Sequence, residues 1–361
     1  MKVGLPDFPW DSLTEDKALA ASHPGGIVDL SIGTPVDPVP DVVRAALAGS
    51  AADEPGYPTT HGTPELREAL VGCLARRFGV TVAPSAVLPT IGSKELVAWL
   101  PTLLGLGTGD VVVLPELAYP TYEVGARLAG ATWMRADWPV VPDTRHVALV
   151  WVNSPSNPTG RVLAPEQLRT VVDRAREHGA VVASDECYLA LSDGAVSILH
   201  PDVCGGSHAG LLAVHSLSKS SNLAGYRAGF LTGDPMLVAA LLEVRKHAGM
   251  IVPRPVQAAM AAAAADDAHV AVQAQVYARR RAQLRVALEA AGMRLEHSEA
   301  GLYLWATAGE PARVTVRRLA TRGVLVAPGE FYGPAGAQHV RVALTAADEQ
   351  ITAAAQRLTM V

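Results

Sequence analysis

Leu211-Leu-Ala-Val-His-Ser216-Leu-Ser218-Lys219-Ser-Ser-Asn-Leu-Ala-Gly225-Tyr-Arg227-Ala-Gly-Phe-Leu-Thr-Gly233 decides the fold. An apolar run at 211–215 stops at small hydroxyl residues that flank a lysine. A second run, 228–232, follows an arginine placed eight positions after that lysine. Short apolar runs bounded by turn residues read as buried strands. Runs of the same kind lie upstream at 87–91, 111–115, 131–134, 147–152 and 180–184. Between them, helical spacing is seen at 94–104, 120–129 and 165–178, the last with Leu168, Val171, Val172 and Ala175 on one face. Seven strands alternating with helices predict an α/β fold with a doubly wound, mostly parallel sheet.

The rest of the 361 residues is arranged around that sheet. Helical stretches are expected at 235–247 and about 255–291, short strands near 293–297, 301–306, 324–326 and 339–343, and a last helix from Thr345 with Asp348 in its first turn. Thr63-Pro64 reads as the N-cap and first position of another helix. The expected division is an N-terminal arm with part of a small domain at 1–35, a large domain at 36–245 and a C-terminal small α+β domain at 246–361. The proline-rich arm is expected to pack on the small domain or on a partner subunit.

A composition 49% hydrophobic and 18% charged supports a sizeable core, and a net charge of −5, with no stretch that concentrates positive charge as nucleic-acid binders do, argues against a nucleic-acid partner. Three widely spaced cysteines, Cys73, Cys187 and Cys204, make neither a disulfide framework nor a zinc motif, and read as small buried hydrophobes. No metal site is expected. Pro6 and Pro9 interrupt the N-terminus where a signal peptide would be apolar, and long apolar runs are missing. A cytoplasmic protein without membrane contact is the expectation.

Four segments fall beside predicted strand ends, where open α/β sheets place ligands. Lys219 among hydroxyls, with Arg227 beyond, suits a Schiff-base lysine next to a phosphate cluster, although a solvated surface lysine has the same appearance. Asp185, in Val181-Val-Ala-Ser-Asp185-Glu-Cys-Tyr188, is a carboxylate just past a buried strand; it needs a cation or serves as a helix cap. Asn153-Ser-Pro-Ser-Asn157-Pro-Thr-Gly160 is a rigid turn able to present an amide, though turn chemistry alone accounts for such residues. Gly92-Ser93-Lys94 opens a helix whose backbone N–H groups would meet an anion.

Taken in order with Tyr119-Pro-Thr-Tyr122 and Arg341, these motifs resemble the class I/II aminotransferases, which are fold-type I pyridoxal-phosphate enzymes. The resemblance runs from Leu30-Ser-Ile-Gly33 to the C-terminal helix and implies pyridoxal 5′-phosphate as cofactor, with small amino-acid and oxo-acid substrates. It implies that Lys219 carries the cofactor and acts as general base, and that Asp185 pairs with the ring nitrogen. Asn157 and Tyr188 would bind the ring oxygen, and Tyr119 would stack on the ring. Ser216, Ser218, Arg227 and the backbone of Ser93 and Lys94 would hold the phosphate. Tyr57 matches a tyrosine that reaches the neighbouring subunit's phosphate, which implies a homodimer with shared sites.

Arg341 would bind the substrate α-carboxylate as a bidentate fork, with Gly33 and Asn157 beside it. Lys94 would add charge at the phosphate, reach the distal end of an acidic substrate, or stay solvated. Arg254 and the Arg245-Lys246-His247 cluster are further candidates for a distal pocket. Within the family, Phe8-Pro-Trp10-Asp11, Thr34-Pro-Val-Asp-Pro38 and Lys246-His-Ala-Gly-Met250 resemble the actinobacterial N-succinyldiaminopimelate aminotransferases. That group's reaction, from L-glutamate to N-succinyl-2-amino-6-oxopimelate in lysine and diaminopimelate synthesis, is the implied activity. A related glutamate- or aspartate-using aminotransferase and a C–S β-lyase are the alternatives.

Overall fold

The computed structural model describes residues 4–49, 53–136 and 146–359. After the two-residue β1 (Val28–Asp29) come the strands β2 (Val87–Ile91), β3 (Val111–Leu114), β4 (Thr132–Arg135), β5 (Val147–Asn153), β6 (Val181–Asp185), β7 (Leu211–Ser216) and β8 (Ala228–Gly233). These last seven form one sheet in the order β2-β8-β7-β6-β5-β3-β4, and β8 alone runs against its neighbours. The seven expected strands are all present, within a residue or two of the runs read in the sequence.

Alternate residues of these strands enter two different apolar clusters. Val182 and Ala213 pack with Leu168, Val171 and Val172 of helix Pro165–Glu177, while Ala183, Leu212 and Val214 pack with Leu96 and Leu100 of helix Gly92–Leu103. Covering both faces is what makes a parallel strand read as a continuous apolar run rather than an alternating one.

The reversed direction of β8 matters for the site. Parallel β5, β6 and β7 bring Asn153, Asp185 and Ser216 to one edge of the sheet, and β2 brings Ile91 there, with Gly92 and Ser93 next. Because β8 begins at that edge, Ser216 pairs with Gly229 and Ile91 with Ala228, and Arg227 just before the strand joins the same cluster. A fully parallel strand would carry Arg227 to the far edge.

The second sheet is antiparallel, made of β9 (Arg294–Glu296), β10 (Tyr303–Thr307), β12 (Ala327–Pro328) and β13 (Val340–Ala343) in the order β12-β13-β10-β9. Beside it β1 pairs with β11 (Val324–Leu325). Leu30 carries the β1 segment along this sheet: its N–H donates to Leu325 and its carbonyl accepts from Ala343, each at 2.8 Å. Gly33 is thereby delivered to the mouth of the large sheet.

Two helical expectations are corrected. The stretch expected at 255–291 is two helices, Arg254–Ala265 and Ala268–Ala290. Asp266 separates them, because its carboxylate accepts from the backbone N–H groups of Ala268 and His269 and so caps a new start. The last helix begins at Asp348 rather than Thr345, whose hydroxyl instead donates to the Ile32 carbonyl at 2.9 Å. The N-terminal arm packs on the small sheet: the Trp10 indole donates to the Ser31 carbonyl and its ring lies 5.3 Å from that of Phe331.

Candidate active site

A cavity of about 760 Å3 opens between the edge of the large sheet and the small sheet. Its wall contains Gly33, Ser93, Lys94, Tyr119, Asn157, Asp185, Tyr188, Ser216, Ser218, Lys219, Arg227 and Arg341, so the segments picked out in the sequence converge.

Lys219 sits on the single turn Leu217–Ser220 that follows β7, and its Nζ donates to the Gly33 carbonyl. Burial pushes its ammonium down to about 8, and the nearby charges of Arg341 and Arg227 push the same way. A free amine, the form that attacks a carbonyl or accepts a proton, is therefore within reach near neutral pH.

Asp185 closes β6. Its Oδ2 accepts the Tyr122 hydroxyl at 2.8 Å and its Oδ1 the Cys187 N–H at 3.3 Å, while its carbonyl accepts the Asn153 amide at 2.8 Å. Among the described residues no cation meets this buried carboxylate, and burial raises its pKa. It is built to receive positive charge from something that is not a side chain. The Tyr122 ring is held by stacking on Trp151 at 4.7 Å and crosses that of Tyr119 edge-on at 5.9 Å.

An anion cradle lies at the start of helix Gly92–Leu103. The Arg227 guanidinium lies directly over Gly92: a Cβ there would stand 2.5 Å from Arg227 Nη2, and Gly92 has φ +72. Only glycine leaves that room. Ser93 Oγ accepts from Cys187 Sγ at 3.1 Å, and Ser216 Oγ caps the Ser218 N–H at 3.1 Å. Helix N–H groups, three serine hydroxyls and one guanidinium form a phosphate-type donor set.

Across the cavity, Arg341 is buried in β13. Its Nη1 donates to Asn157 Oδ1 at 2.9 Å and its Nη2 to the Ser31 carbonyl at 2.7 Å. Its guanidinium lies 4.0 Å from the centre of the Tyr303 ring, and among the described residues its Nε has no hydrogen-bond partner. Both partners are neutral oxygens, so the positive charge is oriented but not neutralised by them. Asn157 is fixed in turn by its N–H on Asn153 Oδ1 at 2.7 Å. Gly33 is required sterically, since a Cβ there would lie 2.1 Å from the Tyr303 hydroxyl.

Several expectations take a different form. Tyr57 does not line the cavity and is 95% exposed. Arg245 is fully buried and pairs with Glu95 at 2.9 Å, so it ties two helices together and leaves no charge for a distal pocket. Lys246 pairs with Glu243 at 2.6 Å on the surface, and Arg254 pairs with Glu54; neither lines the cavity. Lys94 does line it, with Nζ 5.7 Å from the Phe8 ring centre. Cys187, read as a plain core cysteine, lies in the wall against Ser93. Tyr303 and the arm residues Phe8 and Trp10 were not singled out as site residues by sequence. Phe8-Pro-Trp10 was the one available signal, whereas Tyr303 lies within the apolar run of β10, where a tyrosine reads as core.

A family model described as Aminotransferase class I and II matches residues 26–358. The chain belongs to that family, so it is an aminotransferase that depends on pyridoxal 5′-phosphate. It is 63% identical over 362 residues to a probable aminotransferase of Mycobacterium tuberculosis, covering 99% of this chain and 86% of that protein. It is 60% identical to 4-dedimethylamino-4-oxo-anhydrotetracycline transaminase OxyQ of Streptomyces rimosus, over 98% of this chain and 99% of the relative. Among solved structures, a probable N-succinyldiaminopimelate aminotransferase from Thermus thermophilus superposes with a TM-score of 0.88 at 31% identity, covering 98% of this chain and 99% of that one. The donor set described above fits the cofactor: a buried carboxylate that no cation meets among the described residues, an anion cradle and Lys219 line one cavity. Among the described residues no helix is long and apolar enough to cross a membrane.

Proposed function

We propose that the protein transfers an amino group from L-glutamate to N-succinyl-2-amino-6-oxopimelate, the reaction of lysine and diaminopimelate synthesis, as a cytoplasmic homodimer. The observation that carries the transaminase site is the placement of Lys219 Nζ and Arg341 about one cavity, Lys219 on the Gly33 carbonyl and Arg341 on Asn157 and Ser31.

Bound pyridoxal 5′-phosphate supplies a carbonyl that takes up the amino group and a pyridinium ring that withdraws electrons. The Ser216, Ser218 and Arg227 side chains, with the backbone N–H groups of Ser93 and Lys94, would hold its phosphate. Asp185 keeps the ring nitrogen protonated through charge, and Tyr122, which donates to Asp185 Oδ2, fixes the carboxylate in place. Tyr119 would lie against the ring, and Asn157 and Tyr188 would donate to the ring oxygen. Arg341 and Gly33 orient the substrate through its α-carboxylate, so that its α-hydrogen faces Lys219. Lys219 Nζ, as a free amine, would be the general base of the 1,3-proton shift, taking that proton from the substrate α-carbon and delivering it in the same half-reaction to the carbon that the cofactor's carbonyl supplies. Tyr57, 95% exposed in the single chain, reaches the phosphate of the partner subunit. Lys94 meets the distal carboxylate.

A second reading has its own support. Much of the arm-side wall is apolar, with Leu5, Phe8, Trp10, Ile32, Val97 and Val124 beside Asp7, and among the described residues Lys94 is the one cation lining the cavity besides Lys219, Arg227 and Arg341. Such a wall suits an acceptor with a bulky ring body, like the substrate named for the Streptomyces rimosus relative. Assaying glutamate against N-succinyl-2-amino-6-oxopimelate, small oxo acids and ring ketones separates the readings. A preference for the succinyl acceptor supports the first, and activity only with small oxo acids or only with ring ketones rejects it.

A further inference from the structure

Tyr188 and Tyr303 come from different sheets and meet over the cavity. Tyr188 follows β6 of the large sheet and Tyr303 opens β10 of the small one, yet their hydroxyl oxygens lie 3.3 Å apart with the rings edge-on at 5.7 Å. Both rings are buried and both line the cavity. The Tyr303 ring is fixed on its other side by the Arg341 guanidinium at 4.0 Å. Its hydroxyl occupies the space left by the missing side chain of Gly33, whose carbonyl accepts from Lys219. One phenol therefore borders the lysine, the carboxylate subsite and Tyr188 together.

The direction of the hydrogen bond follows from what each hydroxyl has to do. A hydroxyl has one proton and two lone pairs. Where Tyr188 donates its proton to the cofactor ring oxygen, only its lone pairs remain for Tyr303, so Tyr303 must be the donor. Donation into Tyr188 polarises its O–H and makes it the stronger donor onward. Burial holds the Tyr188 phenol well above its usual pKa, so it keeps a proton to give. The titratable groups around the pair are Arg341, Asp185, Cys187, Tyr119, Tyr277 and Tyr332. Among the described residues none of them hydrogen bonds either phenolic oxygen.

We propose that Tyr303 is a positioning residue for the transamination site: its hydroxyl donates to that of Tyr188, aiming and strengthening the proton that Tyr188 presents to the ring oxygen of the cofactor. The proposal rests on the assignment of Tyr188 given above. A donor on that oxygen would withdraw electrons from Lys219 Nζ once that nitrogen is conjugated with the cofactor, and so lower its basicity. Tyr303 thus sets the pH at which the bound cofactor changes colour before any substrate arrives.

The test is a spectrophotometric pH titration of the substrate-free holoenzyme in four forms: the parent, Tyr303→Phe, Tyr188→Phe and the double variant. Tyr303→Phe keeps the ring and its contact with Arg341. It is expected to raise the midpoint by about half a unit, a threefold change in the proton dissociation constant, the size of one neutral hydrogen bond acting at second hand. Tyr188→Phe is expected to raise it further, and Tyr303→Phe to add nothing in that background. Thermal unfolding of each apoenzyme checks that the fold is kept. An unchanged midpoint in Tyr303→Phe, an equal shift in both backgrounds, or an unfolded Tyr303→Phe apoenzyme overturns the proposal. If Tyr188→Phe itself leaves the midpoint where it was, it is the assignment of Tyr188 that fails, and this inference falls with it.

Discussion

The two walls of the cavity are built differently. On the large-sheet wall the chemistry comes from strand ends and the turns just past them: Asp185 ends β6, Ser216 ends β7 with Lys219 just past it, Arg227 precedes β8, and Ser93 follows β2. On the small-sheet wall it comes from inside strands, with Tyr303 and Arg341 facing the site from β10 and β13 while the rest of each strand is core. Turn residues are free of core packing, so their identities announce chemistry. Strand residues serve both purposes at once, and an apolar run conceals them. On the proposed roles the first wall holds the cofactor and Arg341 of the second binds the substrate, so damage to each should read out differently.

The largest effect belongs to the first wall. On the proposed roles, replacing Lys219 by Ala removes both the attachment point and the α-carbon base. Turnover is expected to fall by about 10⁴-fold or more, and the visible absorbance of the lysine-bound form to disappear, as an absorbance spectrum and steady-state assay would record. On the second wall, Arg341→Lys keeps the charge and loses the fork. The expected loss is about 100-fold in kcat/KM for glutamate, the scale of one strong charged hydrogen bond, with the cofactor spectrum unchanged. Loss of cofactor binding in Arg341→Lys would erase the distinction between the walls.

The smallest effect concerns a pair beneath the first wall. Glu186 points away from the cavity; its Oε1 accepts the Ile198 N–H at 2.8 Å and its Oε2 lies 3.6 Å from His215 Nε2. His215 is stacked between Phe230 at 4.7 Å and Phe78 at 5.7 Å. Burial raises the Glu186 carboxyl from 4.5 to about 7 and lowers His215 from 6.5 to about 3, so the pair is neutral in mildly acidic solution. For Glu186 the folded state holds a proton that the unfolded chain releases. That stabilisation is complete below pH 4.5 and is lost as pH rises through 7. The His215 contribution is complete above pH 6.5 and lost as pH falls toward 3, and it remains in a Glu186 variant. Glu186→Gln is therefore expected to gain stability relative to the parent from about pH 5 to pH 8, by about 2.5 kcal/mol, measured by denaturant unfolding of the apoenzyme. A constant difference across that range would contradict the neutral pair.

Much of this was legible in the sequence, for reasons particular residues make clear. The strands β2 to β8 stand out because both faces are buried, and Lys219, Asp185 and Ser93 stand out because they interrupt the apolar pattern at strand ends. The reversed direction of β8, on which the position of Arg227 depends, has no local signal: Ala228–Gly233 reads the same either way. The break at Asp266 was hidden because alanine-rich sequence continues on both sides, and only the cap geometry of the aspartate divides it. Arg245 next to Lys246 looked like surface charge, whereas burial against Glu95 depends on a helix 150 residues away in sequence. Tyr303 was invisible because its role lies in a contact between two sheets.

Adding L-glutamate alone to the holoenzyme and following the cofactor spectrum and the products tests the central claim most directly. Transamination predicts that the visible band of the lysine-bound cofactor converts stoichiometrically to the pyridoxamine form with release of 2-oxoglutarate, and that the band returns on adding the acceptor. An unchanged band with glutamate, together with release of pyruvate and sulfide from a thiol-bearing amino acid, would contradict it and make the chain a lyase.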